Sequence, residues 1–297
     1  MSRARFGTVL SAMVTPFEDD GSLDVDGAVE LAQWLVGHGH DGLVLTGTTG
    51  EAPTVTDDEK VVIWRAVRQA VDVPLLAGTG SNDTRHTVEL SQRAAETGVD
   101  GLLVVVPYYN RPPQAGIEAH MRAVAAATDV PIVMYDVPHR TARSMTVETI
   151  VRLATEVPTI VGLKDARGNP AEAARIVGEA PDDFGLYSGD DSVTLALLAA
   201  GAVGIVGVST HWCGEHMAGM IRAFQAGDHE QARRINAELG PSFAYPVNDL
   251  WQAPGAVKAM LAELGLPSGP CRLPLGPIPH EATTLAKEII AALPLTS

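Results

Sequence analysis

The feature that most constrains the fold of this chain is a regular alternation of short apolar runs with longer amphipathic stretches. Apolar runs bounded by glycine, proline and hydroxyl-bearing residues are typical of strands that are buried on both faces. Eight runs are predicted as strands: Thr8 to Val14, Gly42 to Gly47, Pro74 to Gly80, Gly101 to Tyr108, Pro131 to Asp136, Ile160 to Asp165, Gly185 to Asp190 and Gly204 to Thr210.

The stretches between these runs carry apolar residues at i, i+3 and i+4, which predicts amphipathic helices. Examples are Val25 to His38, Asp57 to Ala70, Thr84 to Thr97 and Gln114 to Thr128. Strand and helix alternating eight times predict an α/β fold, the (β/α)8 TIM barrel. The alternative, an open doubly wound sheet, usually has a phosphate-binding fingerprint after its first strand, and residues 16–22 lack one.

Further helices are predicted after the eighth strand, so the barrel has a C-terminal helical extension. They are Cys213 to Ala226, His229 to Leu239, Pro254 to Leu264 and His280 to Leu293. We expect the barrel to occupy residues 1–226 and the extension residues 227–297. No linker-like or low-complexity segment separates the two parts.

Composition narrows the class of function. The 297 residues are 46% hydrophobic, which is enough for a substantial core, and the formal net charge is -15 with a pI near 4.9. An acidic chain without a basic stripe argues against nucleic acid and membrane surfaces, and favours small molecules or further copies of the chain as partners. The chain has only two cysteines, so no disulfide scaffold is expected, and no apolar run reaches the length of a membrane span. We expect a cytoplasmic protein.

One lysine stands in an unusual position. The chain has four lysines, and Lys60, Lys258 and Lys287 fall on predicted helices, where solvated ammonium groups are expected. Lys164 alone ends a predicted strand. An ion pair with Asp165 or with another acid at a strand end is the structural alternative to a chemical role for Lys164. A buried ammonium is costly, and burial lowers the pKa of a lysine towards the neutral, nucleophilic form.

The neighbouring strand ends favour the chemical role. Tyr135 ends the preceding strand, Tyr109 follows the one before it, and two threonines follow the second strand. A neutral lysine can condense with a ketone or aldehyde, and the resulting iminium withdraws electrons from the adjacent carbon. Lys164 is therefore predicted to be a nucleophile, with Tyr135 as a proton carrier.

Two loops offer groups that could hold carboxylates, although each has an ordinary structural alternative. In the segment GTTGE, Thr48 and Thr49 stand between glycines, so exposed amides and hydroxyls could bind an anion, or the threonines could merely cap a helix. Arg140 offers a planar fork suited to a carboxylate, or it could be a solvated loop residue. The histidines and cysteine in residues 211–216 match no metal-ligand spacing, so we expect no metal site and no cofactor.

With these residues placed, the sequence resembles the dihydrodipicolinate synthase and N-acetylneuraminate lyase superfamily of pyruvate-dependent class I aldolases. The resemblance extends nearly from end to end of the chain. It rests on ordered motifs: AMVTPF at 12–17, GTTGE at 47–51, PYYNRP at 107–112, YDVP at 135–138, GLKDA at 162–166, SGDD at 188–191 and PGAVK at 254–258.

The resemblance implies a role for each candidate residue. Lys164 would form a Schiff base with pyruvate, whose carboxylate Thr48 and Thr49 would hold. Tyr135, Thr48 and Tyr109 would relay protons, with Tyr109 supplied by a neighbouring subunit. Further groups implied for the substrate pocket are Gly189 and Val206, which would act through their backbone.

The second substrate is implied by Arg140. An arginine here resembles the dihydrodipicolinate synthases, in which it would meet the carboxylate of aspartate semialdehyde. Asp136, His139 and Gly207 depart from the usual pattern, and the first two would add charge and bulk near Arg140. The alternatives are an aldolase acting on a sugar acid, of the 2-keto-3-deoxygluconate or N-acetylneuraminate type, and a silent barrel that binds a keto acid.

The resemblance also implies assembly and regulation. A homo-oligomer, specifically a tetramer built of dimers, is expected if Tyr109 crosses an interface. Lysine inhibits some synthases of this family at a dimer interface. In this chain Lys60 and His86 replace a histidine and an acid of that pocket, whereas Asn82 and Tyr108 are retained. We therefore expect insensitivity to lysine, unless Asp57 supplies the missing acid.

Overall fold

The computed structural model describes residues 4–247 and 251–293, which form a closed barrel of eight parallel strands with helices around it. Each strand pairs with its neighbour in sequence, and β8 pairs with β1 to close the sheet. The strands are β1 Val9–Ala12, β2 Gly42–Leu45, β3 Leu75–Gly78, β4 Gly101–Val105, β5 Ile132–Asp136, β6 Ile160–Asp165, β7 Gly185–Ser188 and β8 Gly204–Gly207.

Helices follow the strands and continue beyond the eighth. In chain order they are α1 Val25–Gly37, α2 Asp57–Ala70, α3 Thr84–Ala95, α4 Gln114–Ala125, α5 Pro138–Thr141, α6 Val147–Glu156, α7 Pro170–Glu179, α8 Thr194–Ala199, α9 Thr210–Gln225, α10 His229–Glu238, α11 Gly240–Ala244, α12 Ala253–Glu263 and α13 His280–Ala292. A single turn of 3-10 helix, Asp191–Val193, precedes α8. No helix in the described part of the chain is long and apolar enough to cross a membrane.

The strands separate two apolar cores. The larger core lies between the strands and the helices, and it contains fully buried residues such as Leu31, Trp64 and Leu163. The smaller core fills the barrel interior with side chains that include Leu10, Val133 and Tyr135. Since both faces of each strand are covered, the strands read as continuous apolar runs.

The predicted barrel is therefore confirmed, with all eight strands in order. Several predicted strands are too long at their carboxyl ends; β4, for example, ends at Val105 rather than Tyr108. The chain leaves the sheet there to form loops. The five non-glycine residues with positive φ in the described ranges all lie after strand ends: Thr46, Glu51, Tyr109, Arg111 and Ala142. Strained backbone of this kind concentrates at functional sites.

Two predictions about the helices need correction. The helix expected from Cys213 begins at Thr210 instead and is kinked at Cys213, where the backbone leaves helical geometry. Lys60 and Lys258, expected to be solvated, are buried, and the Lys258 side chain is fully enclosed. Helical periodicity places a residue on a face, but only the packing of the tail shows what covers that face. The domain boundary at residue 226 stays a prediction.

Candidate active site

A cavity of about 870 Å³ lies at the carboxyl ends of β2 to β5 and is lined by these strand ends and the segments that follow them. Four of the residues singled out from the sequence line it: Thr48, Tyr109, Tyr135 and Arg140. They come from the loops after β2 and β4, from β5 and from α5, and parallel closure brings these distant segments to one end of the barrel. This is the end at which barrel enzymes build their sites.

Lys164 lies beside Tyr135 in the barrel wall. The two residues are register partners on β5 and β6, and the Lys164 ammonium lies 4.4 Å from the centre of the Tyr135 ring. Lys164 is only 4% exposed. Its pKa is lowered to about 8 by burial, which Asp191 opposes and the Arg140 guanidinium assists. A substantial fraction of the amine is therefore neutral near pH 8.

The acids near Lys164 are engaged elsewhere. Asp165 pairs with the Arg167 guanidinium at 2.7 Å, so the expected alternative of a Lys164–Asp165 pair is wrong. Asp191 accepts hydrogen bonds from the backbone N–H groups of Val208 and Ser209. Within the described ranges Lys164 forms no salt bridge, because both acids already have partners.

Tyr135 is buried as well, and burial raises its pKa to about 12 despite the opposing effect of Arg140. Its hydroxyl therefore stays protonated at neutral pH and can donate a hydrogen bond. Among the described residues the Tyr135 hydroxyl makes no hydrogen bond, so it is free to meet a ligand in the cavity that Tyr135 lines.

The GTTGE loop presents its two threonines differently. Thr48 is exposed to the cavity, whereas Thr49 is buried and lies outside the lining. The Thr48 carbonyl accepts a hydrogen bond from the Glu51 N–H, and the Gly47 carbonyl accepts one from Ala52, so the loop closes on itself. Neither threonine hydroxyl bonds to another described side chain.

Gly189 and Val206 lie in the wall rather than in the cavity lining. A Cβ at Gly189 would come within 3.0 Å of the Lys164 Cγ, so glycine here leaves room for the lysine stem. Val206 is fully buried on β8, where it pairs with Leu10 of β1. Gly189 therefore contacts the lysine directly, whereas Val206 contributes to the interior core.

Arg140 and Tyr109 reach the cavity from its rim. Arg140 lies on the short helix α5, which the sequence suggested was a loop, and its side chain is exposed. Tyr109 is 88% exposed with a φ of 73°. Tyr109 thus lines the cavity while most of its surface faces solvent.

Asp136 was expected to add charge near Arg140, and this expectation is wrong. Its side chain is fully buried and accepts hydrogen bonds from the Ser144 hydroxyl at 2.8 Å and the Met145 N–H at 2.9 Å. Burial raises its pKa to about 6. Asp136 therefore fastens the segment after α5 instead of facing the cavity. His139 keeps its place beside Arg140, which together with burial lowers its pKa.

In the segment 211–216 the ring of His211 is held by the backbone. Nδ1 of His211 lies 2.7 Å from the Val208 carbonyl, and its Nε2 accepts from the Val14 N–H. Both ring nitrogens are therefore occupied by backbone. In the described ranges no cluster of three or more histidine, cysteine or acidic residues could hold a metal ion.

The region expected to resemble a lysine pocket adjoins the same cavity. Asp57, Lys60, Asn82, His86 and Tyr108 all line it. His86 Nε2 lies 2.8 Å from one Asp57 oxygen, and the Lys60 ammonium lies 3.5 Å from the other. Asp57 is already shared by two basic side chains, and the other acid of the lining, Asp83, accepts hydrogen bonds from the Arg85 and His86 N–H groups at the start of α3.

Sequence reasoning missed two features of the site. Asp191, quoted only as part of the SGDD motif, holds the loop after β8 and acts on the pKa of Lys164. Glu51 of GTTGE and Lys258 of PGAVK form a buried ion pair beneath the threonine loop. These three residues belong to the SGDD, GTTGE and PGAVK motifs, so a charged residue at a fixed motif position was the signal that could have identified them.

Comparison with known proteins agrees with this geometry. A family model described as the dihydrodipicolinate synthetase family matches residues 5–293. The 4-hydroxy-tetrahydrodipicolinate synthase of Moorella thermoacetica is 50% identical over 290 residues, which cover 97% of each chain.

Two solved structures have the same fold. Dihydrodipicolinate synthase from Bacillus anthracis has a TM-score of 0.93 at 40% identity, covering 97% of this chain and 99% of its own. The enzyme from Cyanidioschyzon merolae with lysine bound has a TM-score of 0.93 at 41% identity, with coverages of 97% and 98%. The chain therefore belongs to the dihydrodipicolinate synthetase family.

Proposed function

We propose that this chain is a class I aldolase that condenses pyruvate with aspartate semialdehyde to give 4-hydroxy-tetrahydrodipicolinate, in the biosynthesis of diaminopimelate and lysine. The observation that carries the proposal is Lys164, a buried amine with a pKa lowered to about 8 beside Tyr135. The names of relatives that align over nearly the whole chain supply the reaction.

The chemistry begins at Lys164. Its neutral amine attacks the keto carbon of pyruvate, and loss of water leaves an iminium on the Nζ atom. The iminium acidifies the methyl group, which loses a proton to form the enamine. The enamine carbon attacks the aldehyde of the second substrate, whose amino group then attacks the iminium carbon and releases Lys164. The pyruvate carboxylate would bind the hydroxyls and amides of Thr48 and Thr49, with Gly189 and Val206 lining the pocket.

Proton transfer is assigned to hydroxyl groups. Tyr135 stays protonated because its pKa is raised to about 12, so it can pass a proton along a chain of hydroxyls without becoming a lasting phenolate. Thr48 lines the same cavity and would be the next member of the relay. Tyr109 would complete it from a neighbouring subunit. Neither a cofactor nor a metal is required by this chemistry.

The alternatives receive less support. A sugar-acid aldolase would not need the exposed guanidinium of Arg140 at the rim, and the aligned relatives are named as synthases. A silent keto-acid sensor would not need a lysine without a counter-ion. We place the activity in the cytoplasm and propose no nucleic-acid or membrane partner, since the net charge is -15.

The first prediction tests the reaction at Lys164. Incubation with pyruvate followed by borohydride should leave an adduct that maps to Lys164, absent in Lys164→Met and retained in Lys60→Met, which removes a different buried lysine. Because the neutral amine reacts, adduct formation at low pyruvate should rise with pH through about 8 and then level off. Recovery of unmodified Lys164 would refute the proposal.

The second prediction concerns Arg140. Arg140→Ala should reduce turnover with aspartate semialdehyde by about tenfold to 100-fold, the range for loss of a charge-assisted hydrogen bond. The pyruvate adduct should form as in the wild type, because the guanidinium meets only the second substrate. Arg85→Ala, which removes an exposed helical arginine, is the control. Loss of the adduct in Arg140→Ala would make Arg140 a structural residue instead.

The third prediction concerns assembly. We propose a homo-oligomer, a tetramer built of dimers, because Tyr109 is 88% exposed in strained backbone and requires a partner to become part of a closed site. Sedimentation at assay concentration should give a tetramer, and Tyr109→Phe should lower turnover without dissociating it. A fully active monomer would contradict this assignment.

The fourth prediction concerns lysine. At an effective dielectric near 20, the ammonium of a bound lysine about 4 Å from Lys60 would cost about 4 kcal/mol, and Asp57 is already shared. Free lysine at about 1 mM should therefore not inhibit turnover, and calorimetry should detect no binding. The double variant Lys60→His with His86→Glu should gain inhibition. A saturable isotherm well below that concentration in the wild type would show that the pocket is intact.

A further inference from the structure

A buried ion pair joins the C-terminal extension to the GTTGE loop. Glu51 ends the loop and Lys258 lies in the middle of α12, yet the Lys258 ammonium is 2.7 Å from Glu51 Oε1. Neither side chain has any exposure to solvent. Replacing a buried pair of this kind by apolar side chains is often neutral or stabilising. A gain in stability is therefore a weak reason for the pair to be present. Its ability to fix the position of the GTTGE loop is a stronger reason.

Both partners are held on further sides. The Lys258 ammonium donates to the Pro270 carbonyl at 2.7 Å and lies 4.2 Å from the centre of the Phe17 ring. Glu51 Oε2 accepts from the Arg272 N–H at 2.9 Å. The carboxylate thus receives one partner from α12 and one from the segment after it, so its place is defined in two directions.

A second cation strengthens the same junction. The Arg272 guanidinium forms a salt bridge with Glu59 of α2, donates to the Thr54 carbonyl and lies 4.1 Å from the centre of the Phe17 ring. Burial of Glu59 is modest, and its pKa is lowered to about 2, chiefly by the hydrogen bond from Arg272. The chain between the threonine loop and α2 is therefore bracketed by residues of the extension at both of its ends.

The backbone at Glu51 transmits this restraint to the threonines. Glu51 has a φ of 56°, a conformation that costs free energy in a residue with a side chain. Its N–H donates to the Thr48 carbonyl, so the turn that carries Thr48 and Thr49 closes on Glu51 itself. The carbonyl of the preceding residue, Gly50, accepts a hydrogen bond from the Thr15 hydroxyl at 2.7 Å. Glu51 keeps this strained conformation because its carboxylate is held by the Lys258 ammonium and the Arg272 N–H.

We infer that Glu51 and Lys258 are positioning residues that hold the Thr48–Thr49 turn in the geometry required to bind the carboxylate of pyruvate. This inference rests on the proposed function and extends it to the C-terminal extension, which thereby becomes part of the binding machinery. Neither residue touches substrate. The consequence is specific: loss of the pair should weaken binding of pyruvate and leave binding of the second substrate at Arg140 unchanged.

The test compares Lys258→Met and Glu51→Gln with Lys287→Met, which removes the exposed lysine paired with Glu263 in the same extension. Half-saturation by pyruvate is measured from the borohydride-trapped adduct on folded protein well below its melting temperature. We expect the half-saturating concentration to rise about tenfold or more in both single variants, corresponding to at least about 1.4 kcal/mol, and to be unchanged in Lys287→Met. The KM for aspartate semialdehyde should stay within about twofold of wild type in every variant, since distant contacts act independently.

The double variant Glu51→Gln with Lys258→Met leaves no unpaired buried charge, so it takes the place of Lys258→Met in the test if that single variant fails to fold. Because the pair acts as one unit, the double variant should show the same rise as one single variant rather than the product of two. A folded variant lacking the pair but with wild-type saturation by pyruvate would overturn the inference, and so would an equal rise in both KM values.

Failure of the proposed function gives a different result. If the wild type forms no pyruvate adduct, the aldolase assignment is lost, yet the restraint on the loop is still measurable by hydrogen exchange. The backbone amides of residues 51 and 52 should then exchange faster in Glu51→Gln than in Lys287→Met. Equal exchange would reject the positioning role independently of the reaction.

Discussion

The structure of the site depends on burial of one ammonium without a counter-ion. Lys164 is enclosed by the barrel, and the two acids that could pair with it are occupied, Asp165 by the Arg167 guanidinium and Asp191 by backbone N–H groups. Asp191 therefore compensates desolvation only in part, and the pKa falls to about 8. The reactivity of the lysine follows from the partners of its neighbours as much as from its own position.

A comparison of the two most buried lysines shows what the counter-ion decides. Lys258 is at least as buried as Lys164, but its ammonium contacts the Glu51 carboxylate, which opposes the effect of burial on its pKa. Burial lowers the pKa of both lysines, but only Lys258 is fixed in place by a carboxylate. Similar burial thus gives an ion-paired lysine in one place and the proposed nucleophile in the other.

Buried carboxylates that face away from the cavity hold the segments that form its rim. Asp136 directs its carboxylate to Ser144 and Met145, and so fastens the chain after α5, the helix that carries Arg140. The loop after β2 is fastened in a comparable way from the C-terminal extension. In both cases a buried carboxylate restrains a segment that presents polar groups to the cavity, and the restraint lies outside the barrel interior.

Much of this was accessible from the sequence alone, because apolar runs and helical periodicity are local properties. They predicted eight strands in order and the end of the barrel at which Tyr135 and Lys164 meet, since side-chain pattern and parallel closure determine these features. The comparatively short strands were not accessible, because an apolar sequence does not show where the chain leaves the sheet; after β2, for example, it leaves at Thr46, which has a positive φ.

Only the tertiary structure decided which charges are paired. The sequence placed Lys258 on a helix and Asp165 beside Lys164, but it could not show that Glu51 takes the first or that Arg167 takes the second. The sequence likewise suggested that Asp136 places a charge near Arg140, but its carboxylate accepts a hydrogen bond from the Met145 N–H and holds the segment after α5. Ion pairs join residues far apart in the chain, and their free energies depend on burial and distance, which exist only once the chain has folded.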